Sequence, residues 1–195
     1  MIESFRYHNT NCFFIKNKSQ NNVLAVDAGW PCTFNEYKRN LKKVGLIFED
    51  IKYAVVTHFH IDHAGLISEF QLAGVKCFVL DFQLSFIDEM ERIIHKNDEY
   101  KEYKKIEKDK LAISTINDFN IFLESHGFNG YIESLNSHSE DHIGYFSDED
   151  EAIIGDLAPF DQIMSNDQKA NENWERILTK GIKVAYPSHA DTICL

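Results

Sequence analysis

The segment Thr57-His58-Phe59-His60-Ile61-Asp62-His63-Ala64-Gly65 gathers three imidazoles and a carboxylate directly after the apolar run YAVV. In extended chain His58 and His60 leave the same side, so both can reach one ion. Asp62 and His63 follow on the turn into a helix, aimed at the same end. Histidine with carboxylate is the ligand chemistry of zinc, iron or manganese, and no structural need asks for this density.

These residues need a scaffold that holds them at one edge. IKYAVVT reads as a buried strand by its β-branched content, and DHAGLISEFQLAG has helical spacing at Leu66, Ile67 and Phe70 up to Gly74. KCFVL is the next strand. The histidine cluster therefore lies at the carboxyl end of a strand, a usual place for functional groups in open α/β sheets. Upstream, SFRYHNTNCFFI and VLAVD, separated by NKSQNN, predict a hairpin or meander, and the DAGWP loop follows. TFNEYKRNLKKVG predicts a helix with Thr33 and Glu36 at capping-box spacing, Leu41 and Val44 as its apolar stripe and Gly45 as its stop.

From Phe82 to Lys110 the pattern predicts helix, with opposite charges three apart at Glu89/Arg92, Asp98/Lys101, Glu102/Lys105 and Glu107/Lys110. Phe82, Phe86, Met90, Ile93 and Ile94 cover one side of its first half, which should dock on the body or cap a cleft. Beyond it come a short helix near NDFNIFLESHG, strands GYIESL, IGYF and AIIGD around the turn SDEDE, a last helix NENWERILTKG and a last strand KVAYP. Strands, then strand-helix alternation, then strands again suggest two similar halves.

The 195 residues suit one compact domain with a real core: 44% are apolar, and only 3 are proline and 9 glycine. A net charge of −11 repels nucleic acid and anionic membranes. With neither a signal peptide nor a membrane span in the sequence, the expected location is cytoplasmic. Cys12, Cys32, Cys77 and Cys194 are scattered and read as reduced thiols, Cys32 as a small apolar filler. His8, His95, His126 and His142 read as exposed or hydrogen-bonded, and His142, four residues after His138, is placed to pack under a site.

HxHxDH at a strand-to-helix junction resembles the signature of the metallo-β-lactamase superfamily. The remaining family motifs occur in order. SHSED resembles the family's histidine turn and brings in His138; GD after the strand AIIG resembles its bridging aspartate, Asp156; PSHAD brings in His189; VDAG resembles its early supporting aspartate, Asp27. The resemblance implies an α/β four-layer αβ/βα sandwich, two β-sheets packed face to face and flanked by helices. It implies a single domain over 1–195 with a helical insertion at about 82–126. It also implies two divalent metal ions, zinc foremost with iron or manganese also suited: His58, His60 and His138 on the first, Asp62, His63 and His189 on the second, Asp156 bridging.

Two such ions roughly 3.5 Å apart make a bridging hydroxide available near neutral pH. The implied activity is a metal-dependent hydrolase of a thioester, ester or lactone, similar to the catalytic domain of glyoxalase II, with Asp62 also the catalytic group that orients water and passes its proton to the leaving group. A phosphodiesterase or ribonuclease of the same superfamily and a non-catalytic metal-binding protein are the alternatives. The expected partner is a small-molecule substrate, not nucleic acid or membrane, and a homodimer is compatible with the chain.

Three departures shape the expectation. Asn136-Ser137 stands where the family often has Pro-Gly; Asp156 and His63 stand where classical zinc β-lactamases differ, which disfavours antibiotic hydrolysis; and Pro159 stands where lactonases often carry tyrosine. His60 also separates the chain from flavodiiron proteins, which have an acidic residue there. Without glyoxalase II's added helical domain, specificity is expected from residues 82–126 and the segment after Asp156.

Overall fold

A computed structural model describes residues 2–19, 21–163 and 167–195, so Gln20 of the NKSQNN turn and residues 164–166 of the segment after Asp156 lie outside the described residues. Among the described residues, eleven strands form two sheets. In the first, β1 (Glu3–Tyr7), β2 (Thr10–Lys16) and β3 (Val23–Val26) run as an antiparallel meander. Parallel strands β4 (Ile51–Val55), β5 (Lys76–Leu80) and β6 (Ala112–Ser114) continue it in order. The second sheet has the order β11-β10-β9-β8-β7, built from β7 (Tyr131–Ser134), β8 (Ile143–Phe146), β9 (Glu151–Gly155), β10 (Val184–Pro187) and β11 (Ile193–Cys194).

The layers follow from the two-residue period of strands whose faces are both covered. Phe13 and Ile15 of β2, with Leu24, Val26 and Val55, face Ile132, Ile143, Tyr145 and Ile153 of the other sheet. The alternate residues Cys12, Phe14, Ala25 and Ala54 meet helices on the outer face. There Tyr37 and Leu41 come from α1 (Phe34–Lys43), Ile67 and Phe70 from α3 (Ile67–Leu72), and Ile87, Met90 and Ile94 from α4 (Leu84–His95). A short α2 (Ile61–Ala64) precedes α3. The outer face of the second sheet packs against α6 (Gln168–Thr179) through Trp174 and Ile177, and α5 (Ile116–Ser125) feeds Phe119 and Leu123 into the core between the sheets. This is the expected sandwich of helices, sheet, sheet and helix.

Several local expectations change. The Thr33 side chain makes no cap bond; its hydroxyl donates to the Trp30 carbonyl at 2.6 Å. Cys32 is exposed with φ of +63°, not a buried filler, and all four cysteines are free. Short strands β6 and β11 extend the two sheets at positions whose brevity hides any alternation.

The helix expected from Phe82 to Lys110 ends at His95, because Asn97 turns the chain: its side-chain oxygen accepts from the Glu99 amide at 3.0 Å. Tyr103 and Ile106 then dock in the outer core without helical structure, and their spacing of three mimics a helix period. Three of the four predicted charge pairs form, at 2.8 to 3.3 Å, but they are exposed and hold little. What pins the segment is Glu91, which accepts from the Ile106 amide at 2.7 Å and the Tyr103 hydroxyl at 3.3 Å. Replacing Glu91 by leucine strands the buried Ile106 amide; it should cost about 1–3 kcal/mol and raise hydrogen exchange across residues 100–108. Unchanged protection there in an exchange experiment would show that the carboxylate is not the anchor.

Candidate metal centre

The carboxyl ends of parallel neighbours β3 and β4 and of parallel neighbours β9 and β10 supply the cluster. β3 leads into Asp27, β4 into His58 and His60, β9 into Asp156 and β10 into His189; His138 comes from the turn before β8. His60 is the N-cap of α2, whose first turn holds Asp62 and His63. All seven predicted metal residues are brought together.

They fall into two groups, His58, His60, His138 and Asp156, and Asp62, His63 and His189, each with one potential ligand atom per residue within 4.8 Å of the others. Asp156 stands between them. Its Oδ2 lies 3.4 Å from His138 Nε2, 3.8 Å from His58 Nε2 and 3.3 Å from His189 Nε2, while Oδ1 lies 3.3 Å from His63 Nε2. Asp62 Oδ2 is 3.4 Å from His63 Nε2 and 3.2 Å from His189 Nε2.

Surrounding groups fix which nitrogen faces inward. Asp27 Oδ2 holds His63 Nδ1 at 2.9 Å, leaving Nε2 for the cluster. The same carboxylate accepts from the Thr57 amide at 2.7 Å and the Thr57 hydroxyl, which also meets His58 Nδ1 at 3.1 Å. The Asn9 carbonyl holds His189 Nδ1 at 2.7 Å. His60 instead presents Nδ1, 3.2 Å from His138 Nε2. Asp27 manages this with φ of +69°, a left-handed conformation that aspartate tolerates better than most residues.

The donor set fits a divalent cation. His58 Nε2, His63 Nε2 and Asp156 Oδ1 are buried and have no hydrogen-bond partner among the described residues, a costly state for inward-facing polar atoms without a ligand. Burial pushes His58 well below the ordinary imidazole range, helped by neighbouring His63. Burial acts the same way on His63, but Asp27 and Asp156 overcome it and raise that ring well above the ordinary imidazole range. Hydrogen bonds to Asp156 and Asp62 raise His189 to about 10. Burial opposes ionisation of Asp156, yet His189 at its Oδ2 and the nearby rings of His63 and His58 keep its carboxyl far below the usual range. The pocket thus demands positive charge among its carboxylates.

Other residues carried weaker sequence signals. His142 is buried beneath the cluster, its ring centroid 5.4 Å from that of His58, and burial lowers it to about 3. Gly155, with φ of +54°, leaves room for it, since a Cβ there would collide with His142 Nε2. Asp141 accepts from the Phe59 amide and the Ser139 hydroxyl, both at 2.7 Å, so it clamps the histidine turn to the ligand loop. Its proximity to His138 was the available clue. Thr10 donates to Asp62 Oδ2 at 3.0 Å, and Trp30 Nε1 donates to Thr10 Oγ1 at 3.2 Å; no motif announced either. His8 lies 3.4 Å from Glu36, His126 Nδ1 lies 2.9 Å from the Phe122 carbonyl, and His95 is exposed, as expected for histidines outside the site.

Two cavities flank the cluster. One, of about 380 Å³, is bounded by His60 and Asp62 and by Phe59, Phe86, Met90 and Ile93. The other, of about 240 Å³, is bounded by His138, Asp156 and His189 and by Leu157, Pro159 and Pro187.

Comparison with solved structures finds the same fold at low identity. A metallo-beta-lactamase family protein from Thermus thermophilus aligns over 100% of this chain and 74% of its own, at 17% identity and TM-score 0.68. TTHA1623, crystallised in a di-iron-bound form, aligns over 100% of this chain and 94% of its own, at 15% identity and TM-score 0.69. An archaeal superfamily protein from Sulfolobus tokodaii aligns over 99% of this chain and 81% of its own, at 18% identity and TM-score 0.61. No curated protein matches the chain. The sequence model of the metallo-beta-lactamase superfamily matches residues 6–189, and the chain belongs to that superfamily.

Proposed function

We propose that this protein is a binuclear metallo-hydrolase acting on a thioester, ester or lactone. The observation that carries the reading is the pair of inward-facing donor groups joined by Asp156, with buried nitrogens and a carboxylate oxygen otherwise lacking partners. His58, His60 and His138 would hold one ion, Asp62, His63 and His189 the other, and Asp156 both. A di-iron-bound structural neighbour supports a pair of ions and leaves iron beside zinc and manganese as candidates. When bound, such a pair supplies water that ionises near neutral pH and positive charge for an oxyanion.

The chain's own residues then set position and proton movement. Thr10 and His189 occupy Oδ2 of Asp62, whereas Oδ1 accepts no hydrogen bond among the described residues. That oxygen is free to orient a water and to hand its proton to the leaving group. Burial raises the Asp62 carboxyl, but the hydrogen bond to His189 and the charge of His63 bring it below its ordinary value, so it starts as a base. No lysine or arginine lines either flanking cavity among the described residues, which counts against a phosphodiester substrate. Arg6, the nearby cation, donates to the His189 carbonyl at 3.0 Å and lies 3.6 Å from Asp191. Among the described residues no helix is long and apolar enough to cross a membrane.

Protein purified without added metal should carry about two metal equivalents per chain by element analysis and hydrolyse members of a thioester, ester and lactone panel. A content near zero or one would contradict the binuclear assignment. Asp27→Asn removes the negative partner of His63 and should weaken metal retention about 10- to 100-fold in competition with a chelator; wild-type retention would exclude that orienting role. Asp62→Asn should lower kcat by about 100-fold or more with a smaller change in KM, and Thr10→Val should show the same signature at about tenfold. Turnover of Asp62→Asn equal to the parent would remove its proton-transfer role.

A further inference from the structure

We propose that the groove between α4 and the ligand loop is a subsite for a neutral, apolar acyl arm of about six carbons, so that the substrate is an uncharged medium-chain acyl compound rather than an anionic conjugate. The proposal rests on the hydrolase reading and narrows it.

The groove opens directly onto two of the proposed ligands, His60 and Asp62, so an arm lying in it would carry its carbonyl to the cluster. Its floor is Phe59 and Met90, 3% and 1% exposed; Phe86 and Ile61 form the sides, and Ile93, 47% exposed, forms the rim. At about 380 Å³ it lies near the lower end of the range for small-molecule sites. Ile93 continues the apolar lining of Phe86 and Met90 on α4, and an apolar arm in the groove would cover it.

Both walls are held in place by one buried polar junction. The Phe59 amide donates to Asp141, whose own carbonyl accepts from Gln83 Nε2 at 3.0 Å. The same Gln83 nitrogen donates to the Val56 carbonyl at 3.3 Å, and Gln83 immediately precedes α4. The groove therefore exists before a ligand arrives, which limits the ordering cost of binding.

Charge selects against acids. The charged residues lining the groove are Glu89 and Asp62, and no cation lines it among the described residues. Arg92 lies 3.3 Å from Glu89 and outside the lining. A carboxylate at the far end of the arm would meet Glu89, in a molecule of net charge −11. The smaller cavity beside Leu157, Pro159 and Pro187 would take the leaving group.

The test measures dissociation constants of metal-loaded protein for straight-chain hydroxamates from acetohydroxamate to octanohydroxamate, with the monohydroxamate of adipic acid as the charged comparator, and kcat/KM for the matching acyl esters. Affinity should rise about two- to fourfold per methylene up to about six carbons and then level. The adipic compound should bind about tenfold or more weaker than hexanohydroxamate, and Ile93→Lys, a change at an exposed rim position, should reverse that preference. If acetohydroxamate binds but affinity is flat along the series, or the adipic compound binds as tightly as the neutral one, the subsite is overturned while the hydrolase reading stands. If no hydroxamate binds and protein carrying two metals turns over no member of the thioester, ester and lactone panel, both fall.

Discussion

One buried carboxylate organises this centre. Asp27 receives the Thr57 amide and hydroxyl and the His63 imidazole, and so joins the end of β3, the end of β4 and the first turn of α2. A charge this deep is tolerable only when its lone pairs are filled by donors of fixed direction. The consequence is that strand ends, which would otherwise fray independently, share one geometry. His58 inherits it through Thr57, and His63 directly. The left-handed backbone at Asp27 is a local cost of roughly 1–3 kcal/mol accepted for that convergence.

The second sheet completes what the first begins. Because β9 and β10 are parallel, Asp156 and His189 emerge at the same end, and the antiparallel partner β8 starts there after the turn carrying His138. The Ile143 amide donates to the Thr57 carbonyl at 2.8 Å, and the Asn11 amide to the Ser188 carbonyl at 2.8 Å, so the two sheets are tied beside the donors by their own backbones. Beneath them His142 fills the space that Gly155 vacates. Positioning is therefore mostly a main-chain matter, and the side chains need few rotamer choices to meet.

How legible this was depended on the kind of constraint. The donors of THFHIDHAG could be read from their density in one loop, and His138, Asp156 and His189 from the resemblance of SHSED, GD and PSHAD to the family's motifs. The strands themselves could be read because β-branched and aromatic residues cover both faces. Thr10 and Trp30 could not: a threonine at the start of a strand looks like any other, and its bond to Asp62 spans 52 positions. The end of α4 was hidden for a different reason, since Tyr100, Tyr103 and Ile106 keep a helix-like spacing while Glu91 and Asn97 hold the chain otherwise. β6 and β11 were too short for any period to register.

The donors' separation along the chain has a consequence for folding order. His138 meets His60 across 78 positions, and Ser188 reaches Asp27 across 161. Such contacts form late, after the loop-closure entropy of both sheets has been overcome. Four donors are local to residues 58–63, but neither donor group is complete until His138, Asp156 and His189 arrive from the second sheet. The full donor set of a bound ion would therefore report completed topology, since it exists only in the finished sandwich.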